Sequence, residues 1–200
     1  VPYYPARMSD MPRVKEKAII QLDPDEVVTL LGHRENNGNQ LSGVQLYHYN
    51  KQKYRDLAIV TLLLGTGVRV SECVGLNISD IDFKNNGIRI LRKGGNEMVV
   101  YFGEEVEKAL KDYLDLSRNG ITPLAGHEDA LFLSGQRKRI SVDAVEKMVK
   151  KYCSAVSVKT ITPHKLRSTY GTALYRETGD IYLVADVLGH ADVNTTKKHY

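Results

Sequence analysis

The chain has 200 residues and a net charge of +4, with 42% hydrophobic and 26% charged side chains. These are the proportions of an ordinary globular protein, enough for one domain with a sizeable core, with or without a short arm. No run is long or apolar enough to span a membrane and no leader is visible, while the mild basic balance permits a nucleic-acid partner without demanding one.

Residues Val1 to Lys17 are basic and carry Pro2, Pro5 and Pro12, which predicts an extended arm or linker. The domain proper begins near Ala18. Leu22-Asp23-Pro24-Asp25-Glu26 predicts a helix start, with Asp23 as cap, proline at the first helical position and Glu26 three residues after the cap. That helix should end near Leu31-Gly32, and the Asn- and Gly-rich stretch from Arg34 to Gly43 reads as a loop.

Lys53 to Leu64 places Leu57, Val60, Thr61 and Leu64 at helical spacing, predicting a buried helix broken by Gly65-Thr66-Gly67. A short helix follows from about Ser71 to Leu76, with Arg69 and Glu72 at the junction. The period then changes. Asn86-Gly87 is a hairpin turn signal between Ile81-Asp82-Phe83 and Ile88-Arg89-Ile90-Leu91, and Lys93-Gly94-Gly95-Asn96 leads into Met98 to Phe102. A three-stranded antiparallel meander results, with Lys93 at a hairpin tip.

Glu104 to Arg118 predicts an amphipathic helix that buries Val106, Leu110, Tyr113 and Leu114. Leu131-Phe132-Leu133 is a short buried strand or extended piece, and Gln136-Arg137-Lys138-Arg139 is a basic loop. Ser141 caps a helix to about Ala155, Thr162-Pro163 opens another that ends at Thr178-Gly179, and Asp180 starts a third that runs to Leu188. Gly189 has the position of a helix C′ residue, and Asp192 opens a last short basic helix ending on Tyr200. The sum is an α+β fold, mainly α-helical with one small sheet. Cys73 and Cys153 lie far apart among helix formers, and read as buried free thiols in a reducing cytosol rather than a disulfide or metal pair.

Charge is uneven. From Ser134 to Arg167 there are nine basic residues against two acidic ones, a surface able to track a phosphate backbone. His164 and Arg167, three apart at a helix start, point to one side where free amides and the helix dipole favour an anion. Arg69 and Arg167 supply two guanidinium forks, His164 and His190 two imidazoles, Lys93 an ammonium and Tyr200 a hydroxyl. Two arginines can bind both non-bridging oxygens of one phosphodiester and stabilise its pentavalent transition state. That arrangement could substitute for metal ions, and no carboxylate cluster with the character of a Mg²⁺ or Zn²⁺ site is visible. A phenol with a pKa of about 10 attacks at neutral pH only if cationic neighbours lower that value. Lys93, on a mobile hairpin, suits protonation of the departing 5′ oxygen.

Four stretches, in order, resemble the tyrosine recombinases, also called phage integrases, and the resemblance covers nearly all of Ile19–Tyr200. Thr66-Gly67-Val68-Arg69-Val70-Ser71-Glu72 looks like the family's first arginine box, and Lys93 lies where the family carries its hairpin lysine. Pro163-His164-Lys165-Leu166-Arg167 looks like the His-x-x-Arg box, and Leu188-Gly189-His190, followed ten residues after the histidine by Tyr200, looks like the last box. The resemblance implies a catalytic domain at residues 19–200, preceded by a linker at 1–18 from a core-binding domain that is missing here. It also implies DNA cleavage through a 3′-phosphotyrosine on Tyr200, release of a 5′ hydroxyl, and strand exchange in a homo-tetramer without metal, ATP or other cofactor. Glu72 would orient and buffer Arg69, and Arg137, Lys138, Arg139 and Lys165 would contact DNA. The partners implied are a double-stranded recombination site and accessory DNA-bending proteins, with the protein cytoplasmic and nucleoid-associated in a bacterium. The purpose would be integration or excision of mobile DNA, or resolution of chromosome dimers.

Two features depart from the family pattern. The sequence reads as carrying only the linker of the core-binding domain that completes a clamp on DNA, and as lacking the tail by which family members dock on a neighbouring subunit. The chain thus reads as an excised piece. Two rival readings carry different activities: a DNA-binding relative without catalysis, which should have lost part of the constellation, and a type IB topoisomerase-like enzyme, which shares the chemistry but joins no new partners.

Overall fold

The structure, a computed structural model, describes residues 25, 26, 29, 43–92, 95–156, 161–189 and 193–197. Helices α1 (Gly43–Thr66) and α2 (Val70–Gly75) lead into strands β1 (Ile81–Asp82), β2 (Gly87–Leu91) and β3 (Glu97–Tyr101). Helices α3 (Glu104–Leu116), α4 (Val142–Val156), α5 (Pro163–Thr178), α6 (Ile181–Leu188) and α7 (Val193–Lys197) follow. The arm at 1–18 and most of the first expected helix lie outside the described residues, but 25, 26 and 29 are helical, as expected.

Helix α1 forms the centre of the fold. Ala58, Ile59, Leu62 and Leu63 are fully buried, and the helix packs against both α3 and α5. Ile59, Leu62 and Leu63 each contribute about 1.5–3 kcal/mol by leaving water. The helix begins at Gly43, ten residues before the expected start at Lys53. Its first turns mix Val44, Leu46, Tyr47 and Tyr49 with polar residues and give no clean apolar stripe. Once the buried turns have nucleated, extending a helix outward is inexpensive, so a weak stretch follows a strong one.

The sheet has the expected order β1-β2-β3, all antiparallel. Its first turn differs from expectation. Asp82 pairs with Gly87, so the connection is the four residues 83–86 and Gly87 belongs to β2. Asn86 takes the left-handed conformation at φ 51°, and the Asp82 carboxylate accepts from Lys84 N, Asn85 N and Asn85 Nδ2 at 2.6–3.2 Å. An aspartate bonding the turn's own amides wins over the two-residue Asn-Gly turn. Ile88, Ile90 and Val100 bury one sheet face, while Leu91, Val99 and Tyr101 are exposed on the other.

Helix α3 buries Val106, Ala109, Leu110 and Tyr113. Tyr113 stacks on Phe132 with ring centroids 5.4 Å apart and donates to Leu131 O at 3.0 Å. Leu131-Phe132-Leu133 is a fully buried extended piece, bracketed by bridges from Asn77 to Ala130 and from Leu133 to Arg139. The caps stand where the sequence puts them. Ser141 Oγ accepts from Ala144 N at 3.2 Å, Thr162 precedes Pro163 at the start of α5, and Asp180 accepts from Tyr182 N and Leu183 N. Gly179 and Gly189 end their helices at φ 66° and 62°. Cys73 and Cys153 are free and buried, and burial pushes the Cys73 thiol up to about 12.

Candidate active site

The first arginine is set by a helix break. Helix α1 ends with Thr66 Oγ1 donating to Leu62 O at 2.6 Å, and Gly67 then turns the chain at φ 62°. A β carbon there would lie 2.4 Å from Tyr170 Cδ1, so the turn presses directly on α5. Arg69, extended, is the residue that starts α2, and Glu72 stands three places on. The Glu72 carboxylate, 8% exposed, accepts from Arg69 N at 2.7 Å and from Arg69 Nη1 at 2.8 Å. One carboxylate therefore caps the helix and holds the arginine side chain.

The second arginine is set by α5. Pro163 at the first turn places His164 exposed and Arg167 buried, 5% exposed. The Arg167 guanidinium donates from Nη1 to Gly67 O and from Nη2 to Leu188 O. It thus clamps the α1 break to the end of α6. Arg69 Nη2 reaches the neighbouring carbonyl, Gly189 O, at 3.0 Å. Both forks are fixed by main-chain carbonyls at the C-terminus of α6, where the open carbonyls and the negative end of the dipole attract cations.

Arg69, His164 and Arg167 line one open cavity of about 710 Å³, together with Ser71, Thr162 and Pro163 on one side and Lys147 and Lys150 of α4 on the other. Asp143 and Glu146 also border it, and Lys147 Nζ pairs with Asp143 at 2.8 Å on the surface. The cavity thus joins two guanidinium forks, an exposed imidazole and a lysine-bearing helix, an arrangement that suits a phosphodiester. Lys165 lies between His164 and Arg167 on α5, half-buried.

Three expected residues, Lys93, His190 and Tyr200, lie outside the described residues. Lys93 follows the described Arg92 and His190 the described Gly189, while Tyr200 stands three residues beyond Lys197, the end of α7.

Within the basic loop, Arg139 departs from its expected role. Arg139 Nη1 donates to Val74 O, Gly75 O and Leu76 O at 2.7–3.1 Å, and Nη2 donates to Asn77 Oδ1 at 2.5 Å. Its fork caps the end of α2 rather than facing a phosphate. Arg137, left-handed at φ 62°, lines a separate cleft of about 320 Å³ with Arg55, Tyr113 and Ser134. Lys138 is exposed between them. Sequence reasoning also passed over Lys147 and Lys150 as site residues, though they fall within the basic stretch it had marked. Arg92 was missed as well. It donates to Asp186 O at 3.3 Å and to Val187 O at 2.7 Å, and its only signal in the sequence was its place beside Lys93.

Residues 21–200 match the model of the phage integrase family. The tyrosine recombinase XerS of Streptococcus agalactiae serotype III (strain NEM316) is 44% identical over 162 residues, covering 79% of this chain and 45% of that protein. The tyrosine recombinase XerS of Streptococcus pneumoniae (strain CGSP14) is 38% identical over 186 residues, 92% of this chain and 51% of that one. The chain thus spans about half the length of the curated relatives it matches. Among solved structures, the XerA recombinase is similar with a TM-score of 0.74 and 33% identity, covering 90% of this chain and 59% of that one. The Tn1549 transposon integrase in complex with circular intermediate DNA is similar with a TM-score of 0.66 and 26% identity, covering 93% and 62%.

Proposed function

Because this chain belongs to the phage integrase family, we propose that it is the catalytic part of a site-specific DNA recombinase that cuts and rejoins strands through a 3′-phosphotyrosine. The observation that carries this reading is the meeting of Arg69, His164 and Arg167 in one cavity, with Glu72 and the α6 carbonyls holding the forks. In the proposed reaction Tyr200, its phenol proton lost to solvent with the site's cations favouring the phenolate, attacks the phosphorus through Oη, and the bond from phosphorus to the 5′ oxygen breaks. Arg69 and Arg167 carry the charge that develops on the non-bridging oxygens, and His164 and His190 donate hydrogen bonds to the same phosphate. Lys93 protonates the departing 5′ oxygen, and attack by a 5′ hydroxyl from a partner strand reverses the step. Two guanidinium forks do what divalent cations do in other phosphoryl-transfer sites, so we assign no metal or other cofactor to the reaction.

The DNA-bound Tn1549 integrase supports double-stranded DNA at a recombination site as the partner. Lys138, Lys147, Lys150 and Lys165 are the side chains we assign to backbone phosphates, with Arg137 further along the same basic loop. Assembly as a homo-tetramer, help from DNA-bending proteins and work on the bacterial nucleoid belong to the same proposal. Among the described residues no helix is long and apolar enough to cross a membrane.

The test is trapping on a nicked half-site oligonucleotide, which reports nucleophile, polarity and site preference together. The parent chain should form a denaturation-resistant adduct at the 3′ phosphate. Tyr200→Phe should fold and bind DNA yet form none, and an adduct with the Phe variant overturns the assignment.

A further inference from the structure

The last four carbonyls before His190 are held by three arginines from three separate places in the chain. Arg92 takes Asp186 O and Val187 O, Arg167 takes Leu188 O, and Arg69 takes Gly189 O. Two of the three belong to the proposed catalytic set. Arg92 does not, yet it ties the same helix end to the hairpin.

Its main chain closes a turn. Arg92 N donates to Asn96 O at 2.8 Å, and Arg92 O accepts from Gly95 N at 3.0 Å, which shuts the hairpin link in which Lys93 stands. Its side chain leaves the sheet and lies on the turn after α6. A β carbon on Gly189 would fall 1.7 Å from Arg92 Nη1 and 2.3 Å from Cζ. Glycine thus suits this position for its φ of 62°, and a side chain there would displace the Arg92 head group.

This placement is costly. Desolvation pushes the Arg92 guanidinium below the ordinary arginine range, Arg69 pushes the same way, and Glu72 and Asp186 oppose them. Its buried Nε has no hydrogen-bond partner among the described residues. Burying a charged group with one donor unmet costs free energy that a neutral side chain at the same place would not. What arginine adds is a planar, two-pronged connection that fixes direction as well as distance.

We infer that Arg92 is a positioning residue for strand cleavage. It bolts the hairpin that carries Lys93 to the helix end that holds Arg69 and Arg167 and leads into His190. The four groups then meet the phosphate as one unit rather than as parts of two independently moving segments. The inference rests on the reading of Lys93 as the acid for the 5′ oxygen.

The experiment compares the parent with Arg92→Met, Arg92→Lys and Lys93→Ala. Amide hydrogen exchange is read first, because it needs no activity. In both Arg92 variants the Gly95 and Gly189 amides should exchange faster together, while the α1 core stays protected. On the nicked half-site, cleavage by both should fall at least about tenfold with DNA affinity changed less than about threefold, the pattern of a group that acts on the chemical step. A 5′-bridging phosphorothiolate, whose leaving group needs little protonation, should restore most of the rate to Lys93→Ala and to Arg92→Met alike.

Arg92→Lys separates charge from geometry, since a lysine that restores full rate makes Arg92 a simple point charge and overturns the inference. Exchange that changes at one turn only, or at neither, overturns it too, as do equal losses of rate and affinity. If sulfur rescues Lys93→Ala but not Arg92→Met, Arg92 does not act through Lys93 and the inference fails. If sulfur rescues neither, the assignment of Lys93 as acid fails, and Arg92 is decided by exchange and by the split between rate and affinity. A parent chain that forms no adduct refutes the proposed function, and Arg92 then stands or falls by exchange alone.

Discussion

Gly67 shows how much a single position can decide. It takes φ 62°, and a β carbon would lie 2.4 Å from Tyr170 Cδ1 and 3.0 Å from Leu188 Cδ2. Its carbonyl also accepts from Arg167. Gly67→Ala should therefore cost about 2–4 kcal/mol of stability in urea unfolding, from strain and overpacking together, and should slow cleavage by disturbing the Arg167 clamp. Arg69→Lys tests the other fork. It keeps the charge but loses the two-pronged geometry, so cleavage should fall by about two orders of magnitude or more with affinity little changed. Equal losses in rate and affinity would make Arg69 an ordinary backbone contact. Cys73 and Tyr113 carry a pH signature, since burial pushes each up to about 12. In the folded chain both keep their protons at pH values where the unfolded chain has released them. Their contribution is complete below the ordinary thiol value of about 8.5 and is lost as pH rises towards about 12. Urea midpoints should fall between pH 8 and pH 10, and the fall should be shallower in Cys73→Ala.

At the scale of elements, the arginines divide into two kinds that a sequence does not distinguish. Arg139 caps the end of α2. Arg118, 5% exposed, donates to Ala130 O at 3.0 Å and Glu128 O at 2.6 Å. Arg139→Ala should lower stability by about 2–3 kcal/mol, because it strips carbonyls of a charged partner, and should change DNA affinity little. Lys138→Ala should do the reverse. Paired unfolding and binding measurements on the two variants decide the matter, and Arg139 belongs back among the phosphate contacts if the pattern inverts. Features of local origin were legible in the sequence: Thr162-Pro163, Asp180, Gly179 and Gly189 mark helix ends because caps depend on neighbouring residues alone. The first turn was misread because Asp82, four residues before the Asn-Gly pair, claims the turn amides. The long start of α1 was missed because propagation leaves no periodic signal. The carbonyl clasps of Arg92 and Arg139 were illegible because each spans more than 60 positions along the chain.

For the whole molecule, the cavity between α2, α4 and α5 has a basic side in Lys147 and Lys150. Lys150→Ala should weaken DNA binding evenly across sequences and reduce the salt dependence of log K by about one. A larger loss on one sequence than on others would make Lys150 a base contact instead. Because the proposed chemistry rests on guanidinium forks, adduct formation should survive excess chelator, and restoration by Mg²⁺ after chelation would require a different mechanism. The main outline was legible at this scale too. Arg69, Val70 and Ser71 line one cavity with Pro163, His164 and Arg167, and the meeting of the two boxes could be expected because their chemistry is complementary. Which carbonyls would hold their forks depended on α6, which the sequence marked only as a helix ending in glycine.

The dependence on α6 also orders events in time. The forks of Arg69, Arg92 and Arg167 are held by carbonyls 186 to 189, which are made after all three arginines. During synthesis, with the N-terminal side emerging first, α1, the sheet and α3 can fold before the α6 carbonyls exist, with Arg69 held by Glu72 alone. A growing chain therefore has its basic surface before its arginine forks are fully fixed, which happens only once α6 has been made and has docked.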